Sequence, residues 1–364
     1  MRGGIAHYVA LLYKYLKKRG HRVSVLSFSR QYPSLLFPGK TQEDKGRELI
    51  RLKANPIIDT INPLTWIKAC LFVKRERPDL VVFKYWMPFF APCYAAVAFF
   101  ARKILKVHTC YICDNIIPHE KKIGDRILSK LAVRFVESFI VQSESVKKDL
   151  LSLKPDARFR LVPHPVYEIF PPAADTETAR KQLNITEERV ILYFGLIRKY
   201  KGVAYLVRAM EDIAQSTGAR LLLCGEFYEG REEIEELIRA SRARESITLC
   251  DWFIPNEEVP VYFGAADLVV LPYVSATQSG IVQIAYNYDK PVVVTSVGGL
   301  PEIVPDGLTG YVVPPQDPAA IAGAVARFYQ KREAHDFTAA VQQQKKKYSW
   351  EHMAETVETM AGLS

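Results

Sequence analysis

The sequence predicts an α/β protein made of two doubly wound, parallel-sheet domains joined by a linker. Three observations predict it. The chain has 364 residues, and at roughly 100–200 residues per domain that length suggests two domains. Short β-rich runs alternate with longer helical patterns through both halves, the signature of parallel sheets with crossover helices. Between the halves, Tyr167–Ala179 ("YEIFPPAADTETA") is Pro-rich and polar, and reads as an interdomain linker. The predicted domains are residues 1–170 and 171–343, with the terminal stretch 344–364 completing the first.

In the first half, strands are expected at His21–Phe28 ("HRVSVLSF"), Leu80–Lys84, Val107–Cys113, Phe139–Gln142 and near Arg160–Val162. Helices are expected between them, as at Ile5–Arg19 and Lys121–Val136. The first of these places Ile5, Tyr8, Val9, Leu12 and Leu16 on one face at core-facing spacing. Tyr85–Ala101 carries two internal prolines, is flanked by Lys84 and Arg102, and is shorter than the ~20 apolar residues of a membrane span. It reads as a strand end, a loop and a buried helix. In the second half, strands are expected at Val190–Phe194, Arg220–Cys224, Ile247–Leu249, Leu268–Leu271, Pro291–Thr295 and Gly310–Val312. Tyr348–Met360 reads as a terminal helix with no strand after it.

Apolar residues make up 49% and charged residues 24%, the balance of a globular chain with a full core. The first apolar stretch is interrupted by Lys14, Lys17 and Lys18, unlike a secretory leader. The six cysteines lie mostly in apolar runs, so they read as reduced core thiols. Cys110 and Cys113 form a C-x2-C near His108, but a metal or redox centre would need a second ligand pair or a redox context, and the sequence offers neither. No metal and no cofactor are expected.

The net charge of +9 is unevenly spread. Residues 1–170 hold 30 of the 49 Lys+Arg and 14 of the 40 Asp+Glu, which is +16; the remaining 19 and 26 give −7. A basic first domain favours an anionic partner such as a phospholipid surface. A nucleic-acid role lacks any recognition motif.

Two segments of the second half suit anion chemistry. In "YFGLIRKYKGVAYLVRA" (Tyr193–Ala209) a strand ends before Gly195, and Arg198 and Lys201 sit in the loop before the next helix. A guanidinium fork and an ammonium at a strand's carboxyl end suit a diphosphate. In "YVSATQSGIVQIAYNYDKPVVVTSVGGLPEIV" (Tyr273–Val304), small polar residues lead through Gln278, Ser279, Gly280 and Ile281 into an apolar helix whose free N–H groups form an anion site. A buried strand and the Gly298-Gly299 turn follow. Pro301 and Glu302 then open another helix, Glu302 as a cap or a ligand contact.

The order G-L-I-R-x-x-K-G, "ADLVVLP", a helix start with Gly, and "KPVVVTSVGGLPEIVPDGLTGYVVPP" resembles the donor-binding domain of the retaining glycosyltransferases of family 4 (glycosyl transferases group 1), which have the GT-B fold. The resemblance covers most of the second half. "GGIAHYVALLYKYLKKRGHRVSVLS", "FIVQSESVKKDL" and "YSWEHMAETVETM" are similar to family segments of the first half and the terminal helix. It implies two Rossmann-like domains facing a cleft, an N-terminal acceptor domain and a C-terminal donor domain. It implies that Lys201 and Arg198 contact the donor diphosphate. The backbone at Ser279, Gly280 and Ile281 would meet phosphates or sugar, Gly4, in the first glycine loop, would face the donor cleft, and Gly195, at the turn after its strand, would also bind the donor.

Three departures stand out. The two family glutamates eight apart would fall at about Thr277 and Ala285, neither acidic; Gln278 offers hydrogen bonds without charge. A family histidine on an acceptor-domain strand falls in "YICDNIIPHE", where Asp114 sits near the place and His119 lies five residues later. The family begins with a β-strand and glycine loop before Gly-Gly, so the first strand is expected to be missing, through a late-assigned start or truncation.

The implied reaction is metal-independent transfer of a sugar from a nucleoside diphosphate sugar to a glycan or lipid-linked acceptor, as in envelope polysaccharide or glycolipid synthesis. Arg198, Lys201 and the Gly280 helix start would stabilise the leaving diphosphate, and His119 or Asp114 would orient the acceptor or take its proton. The expected place is the cytoplasm, peripheral on the inner face of an anionic membrane. Two other readings stay open: a non-catalytic binding module or partner subunit, and a nucleotide-sugar epimerase.

Overall fold

The computed structural model describes residues 4–33, 50, 52–118 and 123–362. Among these, the chain divides into two compact units. One holds the chain up to His164 together with the segment from Trp350; the other holds Pro165–Ser349.

In the first unit, Val25–Arg30 (β1) pairs in parallel with Ala54–Asp59 (β2). Leu80–Tyr85 (β3), His108–Cys113 (β4), Ser138–Val141 (β5) and Arg158–Leu161 (β6) form a separate four-stranded parallel sheet in that order. β4 and β5 are near-continuous apolar runs because helices cover both faces of a parallel sheet. Tyr111, Ile112, Phe139 and Ile140 are fully buried there. Local signals set the helix starts. Asn62 accepts from the Leu64 N–H at 3.1 Å before helix Pro63–Glu76, and Ser143 accepts from the Val146 N–H at 3.3 Å before helix Glu144–Leu153. The last helix, Trp350–Ala361, packs on helix Gly4–Lys18. The Tyr8 and Trp350 rings meet edge-on at 4.9 Å, and Glu358 accepts from Arg19 and His21, each at 2.7 Å.

The second unit is one continuous six-stranded parallel sheet. Its strands are Val190–Phe194 (β7), Arg220–Cys224 (β8), Ile247–Cys250 (β9), Leu268–Leu271 (β10), Val292–Thr295 (β11) and Gly310–Val313 (β12). Their order is β12-β11-β10-β7-β8-β9. β7 is central, paired with β10 on one side and β8 on the other, and Val190 to Tyr193 are fully buried.

Several sequence expectations are corrected. The stretch read as a linker is no exposed tether: Tyr167 and Phe170 are buried, and helix Thr176–Gln182 already begins in it. Its prolines mark the ends of elements rather than an open segment. β2 and helix Pro63–Glu76 were not anticipated, because "ANPIID" is short and interrupted by Pro56. β1 starts four residues later than His21, since Arg22 and Ser24 are taken up by Glu76. Of the predicted core face of the first helix, Tyr8 and Leu12 are buried, whereas Ile5, Val9 and Leu16 are only half-buried. These three line a cavity of about 380 Å³ between β1 and β3. No helix among the described residues is long and apolar enough to cross a membrane.

Candidate active site

The carboxyl ends of β7 and β10 bring most of the predicted residues of the second unit together. Gly195 follows β7 with φ +118°, and a Cβ there would stand 3.3 Å from Ile281 Cδ1. The loop after β7 thus touches the start of helix Gly280–Asn287. Lys201 Nζ lies 3.8 Å from the Tyr273 ring centroid, and the Tyr273 hydroxyl lies 3.1 Å from Ser279 Oγ. Lys201, Tyr273 and Ser279 therefore form a chain linking the cation to the helix N-terminus. The Gly298-Gly299 turn closes on the same loop. Gly298 has φ +52°, a Cβ there would fall 1.7 Å from the Ala276 carbonyl oxygen, and the Gly299 N–H donates to Thr277 O at 2.9 Å. Only glycine permits that approach.

The electrostatics of this corner are one-sided. Arg198 lies over the Tyr228 ring at 4.9 Å, and among the described residues neither Arg198 nor Lys201 is ion-paired with a carboxylate. Burial pulls the Lys201 ammonium below its ordinary value, opposed by Tyr200 and reinforced by the nearby Arg198 charge. Two close cations, one desolvated, make a corner that gains by taking an anion.

Other predicted residues have different surroundings. Ser279 is the N-cap, and its hydroxyl accepts from the Ile281 N–H at 3.2 Å. Gly280 admits Tyr167, whose Cε2 would stand 3.0 Å from a Cβ at that position. Both side-chain amide atoms of Gln278 are sealed from solvent without a hydrogen-bond partner. Glu302 is exposed in the first turn of the short helix Leu300–Ile303. Thr277 and Ala285 are both buried. Reasoning from sequence missed Tyr167 and Tyr273, which shape the corner, and Glu226, a buried carboxylate just past the end of β8. The run "CGEF" directly after a strand was the available signal for Glu226.

In the first unit, Asp114 follows β4 and accepts from Lys84 Nζ at 2.5 Å. Lys84 also donates to Gln142 Oε1 at 3.5 Å and lies 3.5 Å from the Tyr8 ring centroid, and Gln142 donates to the Tyr8 hydroxyl at 3.0 Å. Burial pushes the pair towards neutrality, lowering Lys84 and raising Asp114, while each partner's charge opposes the shift. Asp114 is thus held by a buried lysine that the sequence did not single out. Gly4 opens helix Gly4–Lys18 and is exposed. His119 lies outside the described residues. Cys110 and Cys113 are fully buried, and burial pushes the Cys110 thiol up to about 12.

Two family models match the chain: glycosyltransferase family 4 over residues 2–167 and glycosyl transferases group 1 over residues 188–331. The chain is 25% identical to an uncharacterised glycosyltransferase of Methanocaldococcus jannaschii, covering 98% of this chain and 93% of that protein. It is 26% identical to the D-inositol 3-phosphate glycosyltransferase of Corynebacterium diphtheriae, over 70% of this chain and 64% of that one. Among solved structures, it is similar to sucrose-phosphate synthase of Thermosynechococcus elongatus (TM-score 0.74, 22% identity, 98% and 92% coverage). It is also similar to Anabaena HepE in complex with UDP-glucose (TM-score 0.75, 18% identity, 100% and 97% coverage). These likenesses establish the GT-B fold with its two Rossmann-like units. The chain belongs to the group 1, family 4 glycosyltransferases.

Proposed function

We propose that this glycosyltransferase takes a sugar from a nucleoside diphosphate sugar held by the second unit and transfers it, with retained anomeric configuration, to a glycan or lipid-linked acceptor. The observation that carries the reading is the pair Arg198 and Lys201, unpaired with any carboxylate among the described residues, at the carboxyl end of β7 beside the Gly280 helix start. Ligands of open α/β sheets bind at that end of the strands. The shared fold with a protein solved with UDP-glucose supports the donor class.

In this reading Lys201 and Arg198 neutralise the departing diphosphate without a metal, and the first turn of helix Gly280–Asn287 adds N–H dipoles. A half-buried ammonium needs little reorganisation when charge develops, because it already lies against the Tyr273 ring. Asp114, held by Lys84, orients the acceptor hydroxyl. Glu226, the buried carboxylate past the end of β8, serves the donor hydroxyls in place of the absent family glutamates.

The acceptor sits on an anionic membrane surface. Helix Pro63–Glu76 exposes Leu64, Ile67 and Leu71 at 68%, 57% and 57%, three residues at one-face spacing, with Lys68, Lys74 and Arg75 exposed on the same helix. An apolar stripe among basic residues fits the interface of anionic lipid. One specific observation favours a rival, non-catalytic reading: no acid stands at Thr277 or Ala285. The test is to incubate the chain with UDP-sugars, anionic vesicles and lipid-linked acceptors. The α-anomeric donor should give an α-linked product by NMR. An inverted linkage would remove the retaining mechanism, and no transfer across donors and acceptors would leave the binding-module reading standing.

A further inference from the structure

Among the described residues, one pair of cysteines stands side by side on neighbouring strands. Cys224 ends β8, Cys250 ends β9, and the two are register partners in the parallel ladder. Both are free thiols. Register partners point to the same face of a sheet with their backbones about 4.8 Å apart, inside the Cα range that a disulfide bridges. Cys110 and Cys113 have no such neighbour: their partners are Val82 and Tyr85 on β3 and Ser138 and Val141 on β5.

The backbone of the same two residues carries the loops of the donor corner. Cys224 O accepts from the Gly195 N–H at 3.0 Å, and Cys250 O accepts from the Gly225 N–H at 2.9 Å. Gly225 is pressed so close that a Cβ there would fall 1.9 Å from the Gly195 carbonyl oxygen. The pairing runs on from there. The Ile197 N–H donates to Glu226 O and the Tyr228 N–H to Ile197 O, each at 2.9 Å, and Arg198 lies over the Tyr228 ring. A displacement at the two cysteines therefore meets no slack before Glu226 and Arg198.

The two thiols are chemically unequal. Cys224 is fully buried, and burial pushes its thiol well above the ordinary value. Cys250 lies on the edge strand at 6% exposure, and hydrogen bonds from Cys224 and Tyr262 pull its thiol down against the effect of burial. Cys250 is thus the nucleophile and Cys224 the resolving thiol.

We propose that Cys224 and Cys250 are an oxidative modification site: hydrogen peroxide closes them into a disulfide, and the closure loosens the loops that carry Arg198 and Glu226. The effect on ligand rests on the donor site proposed above; the closure itself does not. The Cys250 sulfur attacks one peroxide oxygen, the O–O bond breaks, and the departing hydroxide takes the Cys250 proton to become water. The Cys224 sulfur then attacks the Cys250 sulfenic acid, the S–O bond breaks, and a second water leaves with the Cys224 proton. The two sulfurs together lose two electrons, and the peroxide gains them. A disulfide holds its Cβ atoms about 3.8 Å apart, closer than the strand spacing, so closing it draws the strand ends together and pulls both carbonyls from the Gly195 and Gly225 N–H groups.

The experiment treats the full chain with hydrogen peroxide and follows it by peptide mapping without reduction, amide hydrogen exchange and UDP titration. A linked Cys224–Cys250 peptide should form and be reversed by dithiothreitol. Amides of Gly195, Gly225, Ile197 and Tyr228 should exchange roughly tenfold faster or more in the oxidised chain. UDP affinity should fall by about fivefold or more and return on reduction. Tyr262→Phe should slow closure by roughly threefold or more, since the thiolate loses a donor. Cys224→Ala and Cys250→Ala, treated alike, should show no change in exchange or affinity. Two results would overturn the proposal: peroxide oxidising other thiols without giving the linked peptide, or the linked peptide forming with exchange at those four amides unchanged. Exchange is read without ligand, so a reduced chain that binds no UDP counts against the donor reading and leaves these two results decisive.

Discussion

The two units repeat one plan and differ at its centre. In the second unit the strand before the first helix, β7, is paired on both sides and fully buried, and its loop delivers Arg198 and Lys201 to the end of the sheet. In the first unit the corresponding position is a slot, and the helix over it leaves Ile5, Val9 and Leu16 half-buried. The charges differ in the same way. Among the described residues, Lys201 of the second unit has an aromatic ring but no carboxylate, whereas Lys84 of the first is closed onto Asp114. A partly desolvated cation without a carboxylate is a site waiting for an anion; a buried cation with one is already satisfied and serves to hold that partner.

The largest effect should come from breaking the satisfied pair. Lys84→Met leaves the Asp114 carboxyl without its counter-charge and should destabilise the first unit by about 3 kcal/mol in urea denaturation. A change below about 1 kcal/mol would place the pair among solvent-screened contacts. Next comes the unsatisfied cation. Lys201→Ala should cut turnover by roughly 10²-fold while leaving the melting temperature unchanged or higher, since it removes a desolvated charge. A large drop in stability with little loss of activity would make Lys201 structural. Gly298→Ala should cost the second unit about 1–3 kcal/mol, because a Cβ at φ +52° meets the Ala276 carbonyl. The same change at Gly20, whose Cβ would meet nothing, should cost less. The smallest effect is a pH effect confined to the first unit. Hydrogen bonds from Arg19 and His21 hold the Glu358 carboxyl at about 2, against an ordinary 4.5. Its contribution is therefore full above about pH 4.5 and lost as the pH falls towards 2. Glu358→Gln should remove about 1 kcal/mol at pH 6 and flatten that acid limb in thermal melts at successive pH values.

The same comparison explains what the sequence made legible. In the second unit β7, β8 and β10 were predicted to the residue, since buried parallel strands are short apolar runs between turn signals. The Gly195, Gly280 and Gly298 loops were legible because glycine marks a backbone approach. The surroundings of Gly280 were not: Tyr167 comes from a segment whose prolines read as a linker, and its contact with the helix start spans more than a hundred residues. In the first unit the periodic face of helix Gly4–Lys18 was legible, but not that half of it looks into a slot. Periodicity reports that a helix face wants apolar cover and says nothing of whether cover is present. Lys84 was passed over because a lysine ending a strand usually reaches solvent, and its pairing with Asp114 depends on the register of β3 with β4.

The most direct test of the account is a calorimetric titration of the full chain and of Lys201→Ala with UDP, UDP-glucose and other nucleoside diphosphates. The account predicts saturable binding of at least one of them, weakened roughly tenfold or more in Lys201→Ala, with the loss shrinking at high salt. Equal affinity in both chains, or no binding of any diphosphate by either, would contradict it.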